Sequence, residues 1–220
     1  MVNSILISSC YCDIVEYSTL PARSQGEKEE KRFSKSWDAL DEGIVYLTED
    51  RDDEGVINVL SVRKNLSLSF LVRIARHFLM QNTRERTLVQ NLIRDFGILT
   101  SSTEEEVQNL SGGNRQKVLC GRVASTQAKV FLLDEPTKGI DIAAKESILK
   151  SIKEKLALNA GVVITSPGID DLLIVCDRII VLFEGKAIRN FQRSEFNELE
   201  IYRSVQGLVS NVIDQTVGKG

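Results

Sequence analysis

The chain is poor in the features by which several function classes announce themselves. Its 220 residues include a single histidine, His77, and four cysteines, Cys10, Cys12, Cys120 and Cys176. One Cys-x-Cys pair with one imidazole falls short of the spaced His and Cys clusters that hold zinc. The cysteines read instead as reduced thiols of a cytosolic protein. Neither sign of charge dominates, since 28 Lys and Arg stand against 31 Asp and Glu for a net charge of −3. Such a balance supplies no basic face for nucleic acid and no polybasic tract for an anionic bilayer. Apolar runs are short: Val130 to Leu133 and Ile179 to Phe183 are strand-sized, far below the ~20 residues of a membrane-spanning helix. Ile5, Leu6 and Ile7 have no basic flank before them, which makes a poor secretion signal. Internal repeats and low-complexity tracts are absent as well.

What is present is ordinary for a soluble globular protein: 42% hydrophobic and 27% charged residues, in a chain long enough to bury a core. Ser4 to Tyr11 is an isolated apolar run that could be a strand, followed by a polar linker from Arg23 to Lys35. Gly43 to Leu47 predicts a buried strand and Glu49 to Gly55 an acidic loop. From Ser61 to Leu110 the apolar spacing turns helical, with Leu88, Leu92, Ile93 and Phe96 recurring at three- and four-residue intervals before Gly97. Ser111 to Ser125 predicts a helix, Val130 to Asp134 a central strand apolar on both faces, and Asp141 the N-cap of the next helix. Gly161 to Thr165 is another strand, Pro167 to Cys176 a short helix, and Arg178 to Phe191 a hairpin turning at Glu184-Gly185. A closing amphipathic helix carries Phe196, Leu199, Tyr202 and Leu208. Alternation of this kind predicts an α/β fold with a mainly parallel sheet.

Two groups of residues carry chemistry. Asp134 and Glu135 end an apolar strand, where an α/β sheet opens its ligand crevice. An Asp there can hold Mg²⁺ directly or through water, and a neighbouring Glu can orient an attacking water. A bare Asp-Glu would be no more than a solvated strand end, but four apolar residues before it and Pro-Thr after it point to function. Ser111, Gly112 and Gly113 open a helix whose first amides and positive dipole end suit a phosphate, and two glycines let the anion approach the backbone.

Leu110 to Lys117 (LSGGNRQK) and Val130 to Asp141 (VFLLDEPTKGID) resemble the signature and Walker B segments of ABC ATPases. Asn114 after the glycines and Lys138-Gly-Ile-Asp141 after Walker B resemble the ATPases of sugar importers (ribose, xylose and galactose type). Tyr46 to Gly55 (YLTEDRDDEG), with Ser61-Val-Arg-Lys-Asn-Leu, is similar to the second of their two fused halves. The resemblance covers roughly residues 38 to 208. It implies a P-loop NTPase-like parallel sheet core with an inserted helical subdomain, here with its N-terminal part truncated. The corresponding division is 1–37 as an atypical N-terminal segment and linker, 38–60 as core strand and Q-loop-like region, and 61–110 as helical subdomain. Residues 111–220 complete the core with signature, Walker B, D-loop and C-terminal hairpin and helix. By the same resemblance Asp134 is the magnesium ligand and Glu135 the catalytic base. Ser111, Gly112, Gly113 and Gln116 form the signature that meets ATP held by an opposite half, and Asp141 is the D-loop residue that couples the two sites.

Three departures bear on mechanism. No G-x-x-x-x-G-K-[ST] occurs; the only glycine before Gly43 is Gly26, in GEKEEK. Glu49 stands where the family has its Q-loop glutamine. Ser166 stands at the switch histidine, a change that second halves of sugar importers share, and His77 lies in the wrong segment. The missing loop would supply about four charge-assisted hydrogen bonds of roughly 1.5–3 kcal/mol each. Losing even ~5 kcal/mol weakens binding more than about a thousandfold, so the chain alone is expected to bind ATP poorly. A strand is also expected to be missing beside Val130 to Asp134, with Ser4 to Tyr11 filling part of the gap.

The reading that follows is a nucleotide-binding half of a carbohydrate-importing ABC transporter. It would use ATP and Mg²⁺ in a composite site with a second half whose Walker A loop is intact. Membrane permease subunits would be its other partners and nucleic acid would not, which places it on the cytoplasmic face of the membrane. The alternative is a catalytically inactive ABC-like regulatory or interaction module, or a truncated fragment. A soluble ABC protein of DNA repair or translation is disfavoured by Asn114, by the acidic Glu49 to Glu54 loop and by the lack of a basic face.

Overall fold

Short runs rich in Val, Ile and Leu form the sheet, and amphipathic segments between them cover it. The computed structural model describes residues 4–7, 33, 35–50, 55–70, 75–76, 79–80 and 82–208. In chain order these give β1 (Ser4–Ile7), α1 (Ser36–Asp41), β2 (Ile44–Leu47), α2 (Val62–Ser67), β3 (Ala75–Arg76), β4 (Leu79–Met80) and α3 (Asn82–Phe96). There follow α4 (Gly112–Ala124), β5 (Val130–Leu133), α5 (Ile142–Ser151), β6 (Gly161–Thr165), α6 (Ile169–Val175), β7 (Arg178–Phe183), β8 (Lys186–Gln192) and α7 (Glu198–Val205). The α/β class and the mainly parallel sheet are as the sequence predicts.

Four parallel strands lie in the order β1-β6-β5-β2, with Phe131 of β5 opposite Val45 of β2 and Val162 of β6. The gap expected beside Val130 to Asp134 therefore does not arise, because β5 is paired on both sides. β1 does join the sheet, but on the far side of β6, with Ser4 opposite Val162 and Ile7 opposite Thr165. Residues 8–11 of that run, and most of the polar linker, lie outside the described residues. Among the described residues β2 lies at the edge of the sheet and is buried on one face only: Leu47 is buried and Val45 packs on the core, but Tyr46 is 57% exposed. β7 and β8 form the expected hairpin as a separate antiparallel pair.

The helices bury the faces that their spacing marks out. On α3, Val89 and Phe96 are buried, with Leu88, Leu92 and Ile93 packed against the same core. On α5 and the π-helical turn Ile152–Leu156 after it, Ile148, Leu149, Ile152 and Leu156 form one buried stripe. α4 buries Val118, Leu119, Cys120 and Val123 and packs between α2 and α3 on one side and the sheet on the other. The two-stranded ladder β3–β4 was not visible in the helical spacing.

Buried charge in this region is paired. Glu85 of α3 is 1% exposed and accepts from Arg63 at 2.9 Å and from Ser67 at 2.8 Å. Arg63 also donates to Glu104 at 2.6 Å, and these bonds hold its guanidinium above its usual basicity.

Of the apolar residues expected on the closing helix, Phe196 just before α7 packs against the core, but the others face solvent. Leu199, Tyr202 and Leu208 are 56%, 51% and 69% exposed, while Ile201 and Ser204 are fully buried. The small Ser204, donating to Glu200 O at 2.8 Å, lets the helix settle close to β7, a contact that apolar spacing cannot register.

Candidate functional site

Parallel strands leave their carboxyl ends on one edge of the sheet, and the chemistry-bearing side chains collect there. Asp134 follows β5 directly, and its amide donates to Leu47 O of β2 at 2.9 Å. Its carboxylate is held from both neighbouring strands. The Tyr46 hydroxyl donates to Oδ2 at 2.9 Å and the Thr165 hydroxyl donates to Oδ1. The Tyr46 ring is more than half exposed, yet its hydroxyl is tucked against Asp134. Burial of that hydroxyl, then its bond to the carboxylate, push the phenol up to about 12.

Glu135 has φ 40°, a left-handed conformation uncommon for a residue with a side chain. Its N–H donates to Thr165 Oγ1 at 3.0 Å, so one hydroxyl fixes both acidic positions. A turn closed by Lys138 N–H on Glu135 O at 3.0 Å then brings the Lys138 ammonium back over the strand ends. Its Nζ is 2.8 Å from Glu49 Oε2 and 3.7 Å from Glu135 Oε2. The bond to Glu49 holds this lysine above its ordinary basicity.

Ser166, at the switch position, is 4% exposed and turned inward. It donates to Asp171 Oδ2 at 3.2 Å, and Thr137 donates to the same oxygen at 3.0 Å. Lys145 of α5 meets Asp171 Oδ1 at 2.8 Å. A buried carboxylate thus ties the turn after β5, the turn after β6 and α5 together, with donors enough to offset its desolvation.

The second locus is the start of α4. Ser111 is its exposed N-cap and accepts from Asn114 N and Nδ2 at 3.4 and 3.1 Å. Asn114 Oδ1 in turn takes the Leu99 amide at 2.9 Å, which anchors this corner to the loop after α3. Gly113 has no room for a side chain: a Cβ would stand 2.6 Å from Ala144 Cβ and 3.7 Å from Asp141 Oδ2. Asp141 caps α5 by accepting from Ala144 N at 2.9 Å.

The structure therefore brings Gly113 and Asp141 into one corner with Ser111 and Gly112. It brings Asp134 and Glu135 together at the strand ends. Gln116 belongs to neither opening. It is 3% exposed, on the buried α4 face it shares with Gly113 and Cys120 at helical spacing. The residues that sequence reasoning missed are Tyr46, Thr165, Lys138, Lys145 and Asp171. Tyr46 is the penultimate residue and Thr165 the last of runs that read as strands, and that position was the available signal. Burial pushes the Cys120 and Cys176 thiols up to about 12, which leaves them inert, as reduced structural thiols should be.

Comparison with known proteins agrees with the motifs. The chain is 34% identical over 175 residues to the ribose import ATP-binding protein RbsA of Shouchella clausii, covering 80% of this chain and 35% of that protein. It is 38% identical over 173 residues to the ribose import ATP-binding protein RbsA of Rhodopirellula baltica, covering 79% and 34%. The chain thus spans about a third of the length of these curated relatives. Among solved structures, a dimeric ATP-binding cassette in a post-hydrolysis state with ADP and Pi superposes with a TM-score of 0.64. That match is 17% identical and covers 89% of this chain and 87% of that one, a likeness of fold. The family model described as ABC transporter matches residues 18–138, starting inside the segment set apart above as atypical. With more than half of its residues matched, this chain belongs to the ABC transporter family, a family of nucleotide-binding ATPases.

Proposed function

We propose that this chain is the ATP-binding component, or one half of it, of a carbohydrate-importing ABC transporter, and that it lends its signature corner to an ATP site completed by a second half. One observation carries the reading: Ser111, Gly112 and Gly113 open α4 with an exposed N-cap, and Asp141 stands against Gly113. The first-turn amides and positive dipole end of α4 suit the terminal phosphate of a nucleotide, and the bare Gly113 lets Ala144 and Asp141 of the next helix start pack against this corner. The curated relatives, named as ribose import ATP-binding proteins, support the substrate class. The nucleotide's main grip, and the magnesium that travels with it, would come from a partner that carries a Gly-rich loop. ATP supplies the free energy, and this chain's residues orient the terminal phosphate.

Membrane permease subunits would receive the work, with the chain docked on their cytoplasmic side. Among the described residues no helix is long and apolar enough to cross a membrane. The test is reconstitution. Mixed with a purified nucleotide-binding half that has an intact Gly-rich loop, the chain should stimulate ATP hydrolysis, and Ser111→Arg should abolish the stimulation. Absence of stimulation by the folded chain would favour a regulatory or interaction module instead.

A further inference from the structure

We propose that Lys138 is the resident cation at the strand ends, between Glu49 and Glu135, the latter next in sequence to Asp134, so that these acidic positions serve this chain without magnesium of their own. Glu49 lies two residues beyond β2 and Glu135 two beyond β5, and these strands are neighbours in the sheet. Two carboxylates so placed repel each other unless a cation lies between them. The chain supplies that cation itself, with the Lys138 ammonium at 2.8 Å from one and 3.7 Å from the other. A turn of fixed geometry delivers it, closed by the Lys138 amide on Glu135 O and entered through the left-handed Glu135.

The donor set fits a metal poorly. Mg²⁺ demands near-octahedral oxygen ligation and is commonly held by one or two carboxylates together with substrate phosphates. Here each Asp134 oxygen already accepts a hydroxyl, from Thr165 and from Tyr46. Glu49 and Glu135 are committed to the ammonium. Among the described residues no three metal-capable side chains converge. The phosphate share of the ligands is also missing where no Gly-rich loop motif occurs in the sequence. A lysine ammonium is a compact point charge that can occupy such a place without octahedral ligation.

The meaning of these acidic positions rests on the proposed function, but the test does not. Mn²⁺ is titrated into the 220-residue chain and the free ion is read by electron paramagnetic resonance. Wild type and Lys138→Arg should bind no more tightly than the Lys138→Gln/Glu135→Gln double variant. Lys138→Gln alone should bind about tenfold more tightly, as expected when one positive charge is removed beside a divalent ion. Lys138→Met removes the same charge and serves if the Gln variant fails to fold. Two results would overturn the idea: Mn²⁺ binding by wild type that Asp134→Asn weakens tenfold, or no gain in either charge-removing variant. A failed ATPase reconstitution would leave this outcome untouched, so the two readings fail separately.

Discussion

Thr165 donates its hydroxyl hydrogen to Asp134 Oδ1 across the β5–β6 boundary, and Thr165 Oγ1 itself accepts the Glu135 amide at 3.0 Å. A β-branched residue at a strand end has little χ1 freedom, so this hydroxyl is preset for both bonds. Replacing Thr165 with Val keeps the shape and removes both. Thr165→Val should cost about 1–2 kcal/mol in urea unfolding, and Thr165→Ser should recover most of it. A loss in Thr165→Ser with none in Thr165→Val would show that the methyl, not the hydroxyl, carries the effect.

Tyr46 gives a pH signature. Its folded-state pKa, about 12, lies above the ordinary value of 10.0, so the folded state retains the phenolic proton longer than the unfolded one. The stability this contributes is full below pH 10, and it declines as pH rises from about 10 to 12. Ultraviolet titration of wild type against Tyr46→Phe isolates this tyrosinate. Asp134→Asn should return its midpoint toward the ordinary value. A Tyr46 midpoint that Asp134→Asn leaves unchanged would mean that the two side chains do not meet in solution.

Much of the site could be read before any coordinates existed, and the reason is locality. Asp141 caps α5 three residues away, at Ala144, and Ser111 caps α4 at Asn114, both patterns written within one turn of helix. Val130 to Leu133 announces a buried strand, and the acidic pair follows immediately. The partners of that pair were not legible. Tyr46 lies 88 residues from Asp134, Lys138 lies 89 from Glu49, and Thr165 lies 31 from Asp134. Only the strand order β2-β5-β6 brings them together, and order is a tertiary choice. On α7 the failure had another cause. The pair Leu199 and Tyr202 has the same spacing as Ile201 and Ser204, and apolar periodicity alone picks the face that the fold leaves in water.

Gly113 gives a packing prediction. A methyl at this position would stand 2.6 Å from Ala144 Cβ, between two helix starts that each have a fixed cap. Gly113→Ala should therefore destabilise by about 1–3 kcal/mol and push the signature corner away from Asp141. Adding Ala144→Gly removes the opposing methyl. The double variant should be more stable than the sum of the single effects implies, which a thermodynamic cycle measures directly. Strict additivity would mean that the two positions do not touch.

Asp171 is 3% exposed, and three segments depend on its carboxylate. Asp171→Ala would leave the Thr137 and Ser166 hydroxyls without their acceptor and Lys145 without its counter-charge. The Lys145 side chain is 33% exposed and keeps part of its hydration, so the charge term is smaller than for a fully buried pair. A loss of about 2–3 kcal/mol is expected for Ala, with Asp171→Asn falling between it and wild type. The readout is the denaturation midpoint, and a neutral Asp171→Ala would exclude this network as a tie between the three segments.

The chain by itself should gain little from nucleotide. Ligand stabilisation follows RT ln(1 + [L]/Kd), so 1 mM Mg-ATP against a millimolar Kd contributes only about 0.4 kcal/mol. For a domain of this size that is a rise in Tm of roughly 1–2 °C. A low-micromolar Kd would instead contribute about 4 kcal/mol and raise Tm by roughly 8–16 °C. The smaller value is expected, since the signature corner offers first-turn amides but the sequence contains no G-x-x-x-x-G-K-[ST] to cradle the remaining phosphates. Mixing with an intact half should change this. The corner then closes over a triphosphate already held, and the shift should become large and sensitive to Ser111→Arg. A large shift for the chain alone would show that it grips nucleotide without that motif.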